Sequence, residues 1–102
     1  MYTWGGYEGP EMHGEYIRAH GESPNFSLWG DEEEAEAKIR AGFHPDLGMP
    51  CSYKIKKWHE LGFLKPLDTS RLEHWDDVID VLKEVPDMMI DSERYMATAW
   101  WG

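Results

Sequence analysis

Glu73, Asp77, Asp80 and Glu84 stand at i, i+4, i+7 and i+11, with Asp76 beside them. On a helix this spacing lays the carboxylates along one side, and at ~1.5 Å rise per residue the stripe runs about 16 Å. Five carboxylates over that length give roughly one charge per 3–4 Å, close to the ~3.4 Å axial spacing of phosphates along one DNA strand. The chemistry expected is charge display. A protein groove built for nucleic acid would meet a similar field. Glu32, Glu33, Glu34 and Glu36 extend the negative surface if their helix adjoins the first. The rival reading is a solvated face that keeps a helix soluble.

The counterweight is a lysine cluster, Lys54, Lys56 and Lys57, which could contact phosphate or an acidic protein. It leads into Trp58-His-Glu-Leu-Gly-Phe-Leu-Lys-Pro66. That stretch resembles the helix-to-wing passage of MerR-type winged helix-turn-helix regulators, in which an aromatic-rich helix runs into a Gly-Leu-Leu-x-Pro-like turn. The likeness implies a small DNA-binding protein. It covers about nine residues, the family's Gly-Tyr-Arg-x-Tyr wing is missing, and a shared helix stop accounts for the match more simply.

Other reactive residues lack partners at useful spacing. His13 and His20 are seven apart, His59 and Glu60 point different ways as neighbours, and His74 with Asp77 makes only an i, i+3 pair. None matches a zinc spacing, and the single cysteine, Cys51, has no second thiol. Near Lys54 and a helix start its pKa could fall, but no base is placed beside it. Phosphate-binding glycine patterns, zinc-protease motifs and nucleophile elbows are all missing. We expect no enzyme, no cofactor and no metal. The remaining candidates are aromatic: Tyr2, Trp4 and Tyr7 near one end, Trp100 and Trp101 near the other. Rings there either dock on the core or mark an interaction site.

The elements that must position these residues follow from breakers and caps. Residues 1–9 read as an irregular, aromatic, Gly-rich arm. Residues 10–19 could form a short helix, Pro10 suiting a first turn, and residues 26–29 a brief strand. Asp31 is an N-cap with Glu34 three residues on, Ala35 and Ile39 face inward, and Gly42 is the stop. Residues 51–61 are expected to be helical up to Gly62, with Phe63 closing back onto Trp58; alternation of Tyr53, Ile55 and Lys57 favours a strand instead. Ser70 and Glu73 form a capping box for the strongest expected helix, residues 70–85, with Leu72, Trp75, Val78, Ile79, Leu82 and Val85 inward until Pro86. Asp91 or Ser92 would cap a last helix through Trp100. The predicted fold is mainly α: a small irregular bundle of four or five helices, with room for one short strand or hairpin, in a single domain spanning residues 1–102.

Charge then narrows function. Twenty acids oppose ten Lys and Arg, for a net −10. Residues 1–50 carry ten acids and three bases, and residues 66–93 nine acids and two bases. Such a surface repels nucleic acid and favours cationic partners. No apolar run reaches a membrane span, the first residues have no signal-peptide pattern, and one cysteine suits a reducing compartment. We therefore expect a cytoplasmic, non-enzymatic inhibitor whose acidic face occupies a basic, nucleic-acid-handling surface on another protein. A phage-encoded DNA mimic of the anti-CRISPR or anti-restriction type, acting in the host cytoplasm, fits that description. The contact residues would be Glu73, Asp76, Asp77, Asp80, Glu84, Glu32, Glu33 and Glu36, with Trp100 and Trp101 as aromatic anchors. The alternatives are DNA binding through Lys54, Lys56 and Lys57, and self-association through aromatic termini.

Overall fold

A computed structural model describes residues 1–97, which divide after Pro50 into two compact units, the first Met1–Pro50 and the second beginning at Cys51. The first unit alternates strand and helix. β1 (Tyr2–Trp4) leads through a 3-10 turn at Pro10–Met12 into α1 (Gly14–His20). β2 (Ser27–Trp29) and α2 (Glu32–Arg40) follow. β1 and β2 pair in parallel, with Tyr2 opposite Ser27, Thr3 opposite Leu28 and Trp4 opposite Trp29. On its other edge Tyr2 bridges Gly48, also in parallel: Tyr2 N–H donates to the Leu47 carbonyl at 2.8 Å, and Met49 N–H to the Tyr2 carbonyl at 3.0 Å. β1 is therefore central. The start of the expected irregular arm is a buried strand, because Tyr2 is bridged on both edges and Thr3 pairs with Leu28, and the two are 1% and 0% exposed.

Local chemistry explains α2. The Asp31 carboxylate accepts the Glu34 N–H at 2.7 Å. At the other end Gly42, at φ 104°, lets its N–H reach the Ile39 carbonyl and the Phe43 N–H reach Lys38, so the last carbonyls are satisfied. Ala35 is fully buried, as expected. Glu32 and Glu36 were expected on the outer acidic face, yet they are 2% and 5% exposed. They stand three residues before and one after Ala35, so helical geometry puts all three on one stripe. Tyr2 and Trp29 are the large buried rings of this unit, 4.3 Å apart and edge-on, with Phe43 4.9 Å from Tyr2.

The second unit begins with a 3-10 turn, Ser52–Lys54, and α3 (Ile55–Glu60). Ile55 and Trp58, one turn apart, are buried, as is Met88 of the 3-10 turn Pro86–Met88. Gly62, at φ 74°, ends α3 in the predicted way: the Phe63 N–H returns to the Trp58 carbonyl, and the two rings meet edge-on at 6.1 Å.

The long helix expected over residues 70–85 is not formed. A 3-10 turn at Thr69–Arg71 stops at extended Leu72; three-residue turns follow, Ile79 is extended again, and only α4 (Asp80–Lys83) is helical. The capping box fails because Asp68 takes both the N–H and the hydroxyl of Ser70, at 3.1 and 2.6 Å. Residues 75–80, Trp-Asp-Asp-Val-Ile-Asp, are also poor helix formers. Leu72, Ile79 and Val81, 42%, 63% and 70% exposed, gain no buried stripe in return. Nor does Asp91 start a helix. Asp91 and Ser92, at φ 49° and 68°, make the two-residue turn between β3 (Met89–Ile90) and β4 (Glu93–Arg94), an antiparallel hairpin. Arg94 ties the end of this unit down. Its guanidinium donates to the carbonyls of Lys83, Met96 and Ala97 and stacks 5.0 Å from the centre of Trp75. The predicted mainly-α bundle is thus replaced by a first unit in which helices connect parallel strands, and a second of short helices, turns and one hairpin.

Candidate functional site

The order of the first unit's strands marks the place where a ligand can enter. From β1 the chain passes through α1 to β2 on one side, then through α2 to the Gly48 strand on the other. Where a parallel sheet reverses direction in this way, adjacent connections diverge and leave a crevice beyond the carboxyl ends of the strands. Here those ends are Trp4 and the residues after it, and Met49 with Pro50.

Trp4 is half-buried, its ring edge-on to Trp29 at 5.9 Å. Gly5 and Gly6 follow. A Cβ on either would meet nothing within 4 Å, so the turn is open above its backbone, and Gly6, at φ 98°, takes a conformation that favours glycine. Tyr7 is half-buried, and its carbonyl accepts a hydrogen bond from His13 Nε2 at 2.7 Å. His13 in turn packs on Phe26, ring centres 4.9 Å apart, so the loop is anchored to the chain just before β2. Glu8 is exposed, and its Oε2 accepts the Gly6 N–H at 2.7 Å. Behind the turn the Tyr2 phenol is held above its ordinary pKa, first by burial and then by the charge of Glu34. Two part-exposed rings beside a bare glycine turn can hold an organic cation. Ring faces attract ammonium within about 6 Å of their centres, worth ~0.5–2 kcal/mol each.

No family model and no curated protein matches the sequence. Among solved structures, the chain is similar to a protein of Listeria monocytogenes described as a spermidine/putrescine ABC transporter. The TM-score is 0.72 at 25% identity, over 85% of this chain and 27% of that one. It is also similar to a spermidine/putrescine ABC transporter substrate-binding protein of Streptococcus pneumoniae, with TM-score 0.67 at 27% identity, over 80% of this chain and 26% of that one. The chain spans about a quarter of the length of the solved proteins it matches.

These likenesses correct the functional expectations. The similar proteins are named for small cationic molecules and for transport, not for a nucleic-acid-handling protein surface. The inhibitor reading is overturned, together with its anti-CRISPR, anti-restriction and DNA-mimic forms and its basic protein partner. DNA binding through Lys54, Lys56 and Lys57 falls with it; α3 has six residues and runs into a turn and irregular chain where a wing would stand. The aromatic-termini alternative also gives way, since Tyr2 and Trp4 pack within the first unit.

The predicted contact residues are not brought together on one helix face. Glu73, Asp76 and Asp77 are exposed on turns, and the Asp77 carboxylate meets His74 Nδ1 at 2.9 Å. Asp80 begins α4 and pairs with Lys83 at 3.4 Å, and Glu84 follows it. Glu33 is exposed on α2, whereas Glu32 and Glu36 are buried. Trp100 and Trp101 lie outside the described residues. Among the described residues no group of three His, Cys, Asp or Glu could hold a metal ion, and no helix is long and apolar enough to cross a membrane. Trp4 and Tyr7 stand out in the sequence as candidate interaction rings, but nothing in their spacing points to a turn at the end of a parallel strand.

Proposed function

We propose that the chain is the part of a substrate-binding protein that receives a linear polyamine, an alkyl chain carrying ammonium groups, at the carboxyl end of its parallel strands. The reading is carried by one observation. The strand order puts Trp4 at the sheet's reversal, with the open Gly-Gly turn and half-buried Tyr7 following it, in a chain whose fold aligns over 85% of its length with a spermidine/putrescine transporter protein. Ring faces would take the ammonium groups and the alkyl segment would lie on the indole. The negative charge of the first fifty residues would attract the cation. On this reading the chain binds and does no bond-making chemistry.

Titration of putrescine and spermidine into isotopically labelled chain, followed by two-dimensional NMR, tests the proposal. Saturable shifts are expected at the Trp4 indole and at the amides of Gly5, Gly6 and Tyr7. With one isolated turn as the site, Kd should be on the order of 1 mM, about −4 kcal/mol. Shifts spread over exposed carboxylates and reproduced by magnesium would reduce the effect to counterion binding and refute the site.

A further inference from the structure

We infer that His13 is a positioning residue for this site: its side chain pins the Tyr7 end of the Gly-Gly turn, and ligand affinity depends on that bond. The inference rests on the polyamine reading above and adds to it a residue from outside the turn. Glycine has more backbone freedom to lose than any other residue, so Gly5 and Gly6 alone set the course of the chain after Trp4 only weakly. The hydrogen bond from the Gly6 N–H to Glu8 lies within the turn and does not tie it to the rest of the unit. His13 makes such a tie. Its Nε2 donates to the Tyr7 carbonyl at 2.7 Å. The histidine is itself held: its N–H donates to the Pro10 carbonyl at 3.1 Å, its carbonyl accepts the Ile17 N–H at 2.9 Å, and its ring lies on Phe26 with centres 4.9 Å apart. Phe26 immediately precedes Ser27 of β2, whose N–H donates to the Met1 carbonyl at 2.9 Å. Tyr7 is thus connected to the strands through groups that are each fixed. A carbonyl can only accept, so Nε2 carries the hydrogen, and the neutral ring is the Nε2–H tautomer. A turn pinned before the ligand arrives leaves less ordering for binding to impose.

Three substitutions separate the bond from the packing. His13→Phe keeps a ring against Phe26 and removes the donor. His13→Gln removes the ring and returns an N–H donor at about the reach of Nε2. His20→Phe is the control at the other end of α1, where the imidazole stacks on Tyr16 at 4.3 Å. Wild type and the three variants are titrated with putrescine by NMR, and amide exchange with solvent is measured in each. His13→Phe should weaken putrescine roughly fivefold, the worth of one hydrogen bond. It should also speed exchange at Gly6 and Tyr7 while leaving β1 and β2 unchanged. His13→Gln should recover most of the affinity, and His20→Phe should bind as wild type does. Long-range nitrogen–proton spectra of wild type should show His13 as the Nε2–H tautomer. Undiminished binding by His13→Phe overturns the inference, as does a His13→Gln variant that recovers nothing or a His20→Phe variant that weakens equally. An Nδ1–H tautomer removes the bond, and faster exchange throughout β1 and β2 reduces its effect to general stability; either result overturns the inference too. Each of these outcomes leaves the polyamine reading intact, whereas a wild-type chain that binds no putrescine removes both.

Discussion

Replacing Tyr2 by Phe takes one oxygen out of the middle of the first unit and leaves the ring in place. The ring is packed edge-on to Trp29 at 4.3 Å and to Phe43 at 4.9 Å, and the Lys38 ammonium stands 5.4 Å from its centre. All three contacts survive the change. The hydroxyl is a different matter: it is buried and finds no hydrogen-bond partner among the described residues. Burying an unbonded hydroxyl costs ~1–3 kcal/mol, so Tyr2→Phe should stabilise the chain by about 1 kcal/mol at pH 7. The pH dependence gives an independent check. Burial, with the Glu34 charge second, raises the Tyr2 pKa above its ordinary 10.0. A raised value in the folded state means that stability is complete below pH 10 and declines as pH rises through the folded pKa, because the unfolded chain ionises first. Phe cannot ionise, so the advantage of the variant should widen above pH 10. Urea unfolding followed by tryptophan fluorescence at pH 7 and 10.5 measures both effects. A variant less stable than wild type by 1 kcal/mol at pH 7 would mean the hydroxyl is bonded, and the reasoning would fail.

Two further substitutions probe the second unit. Trp58 is 1% exposed and holds Phe63 against the end of α3; Trp58→Ala should cost about 3–5 kcal/mol in urea unfolding, and a loss under ~1 kcal/mol would show that the site collapses without it. Ser92 sits at φ 68° in the β3–β4 turn, where a side chain costs roughly 1–2 kcal/mol that glycine avoids. Ser92→Gly should therefore raise Tm by about 4 °C in calorimetry, and an unchanged or lower Tm would remove left-handed strain as a factor there.

Capping made part of this fold legible in the sequence. Asp31, Glu34 and Gly42 bound α2, and Gly62 with Phe63 closes α3, because each motif is completed within six residues. The same rules misled at Ser70, where Asp68, two residues upstream, competes for the groups the capping box needed. Apolar spacing from Leu72 to Val85 suits a helix as well as it suits chance, and only the exposure of Ile79 and Val81 separates the two. Hairpin turns are usually announced by glycine or asparagine; Asp91-Ser92 has neither, so β3 and β4 were hidden. β1 was hidden for another reason. Three residues are too few to display a period of two, and their partners are distant in the chain, at Ser27–Trp29 on one side and at Gly48 on the other. The candidate site inherits that difficulty, since Trp4-Gly-Gly-Tyr7 becomes a site through strand order and not through spacing.

The fate of the carboxylates also explains why acidity suits a small cation better than a nucleic-acid mimic. Imitating a phosphate strand requires charges kept in a row and free to face a partner. In this chain they are put to local use: Asp31 caps α2, Asp68 holds a turn, Asp77 meets His74, Asp80 meets Lys83, and Glu32 and Glu36 are buried. None of this alters the net charge of −10. A net negative field draws a mobile cation from solution whether or not its sources are aligned. On the polyamine reading, retention would need a short-range feature as well, and the rings beside the bare glycine turn at the carboxyl end of β1 are the candidate. Attraction and capture thus make separate demands on the sequence, the first met by net charge wherever it lies and the second only by residues that the fold brings to one place.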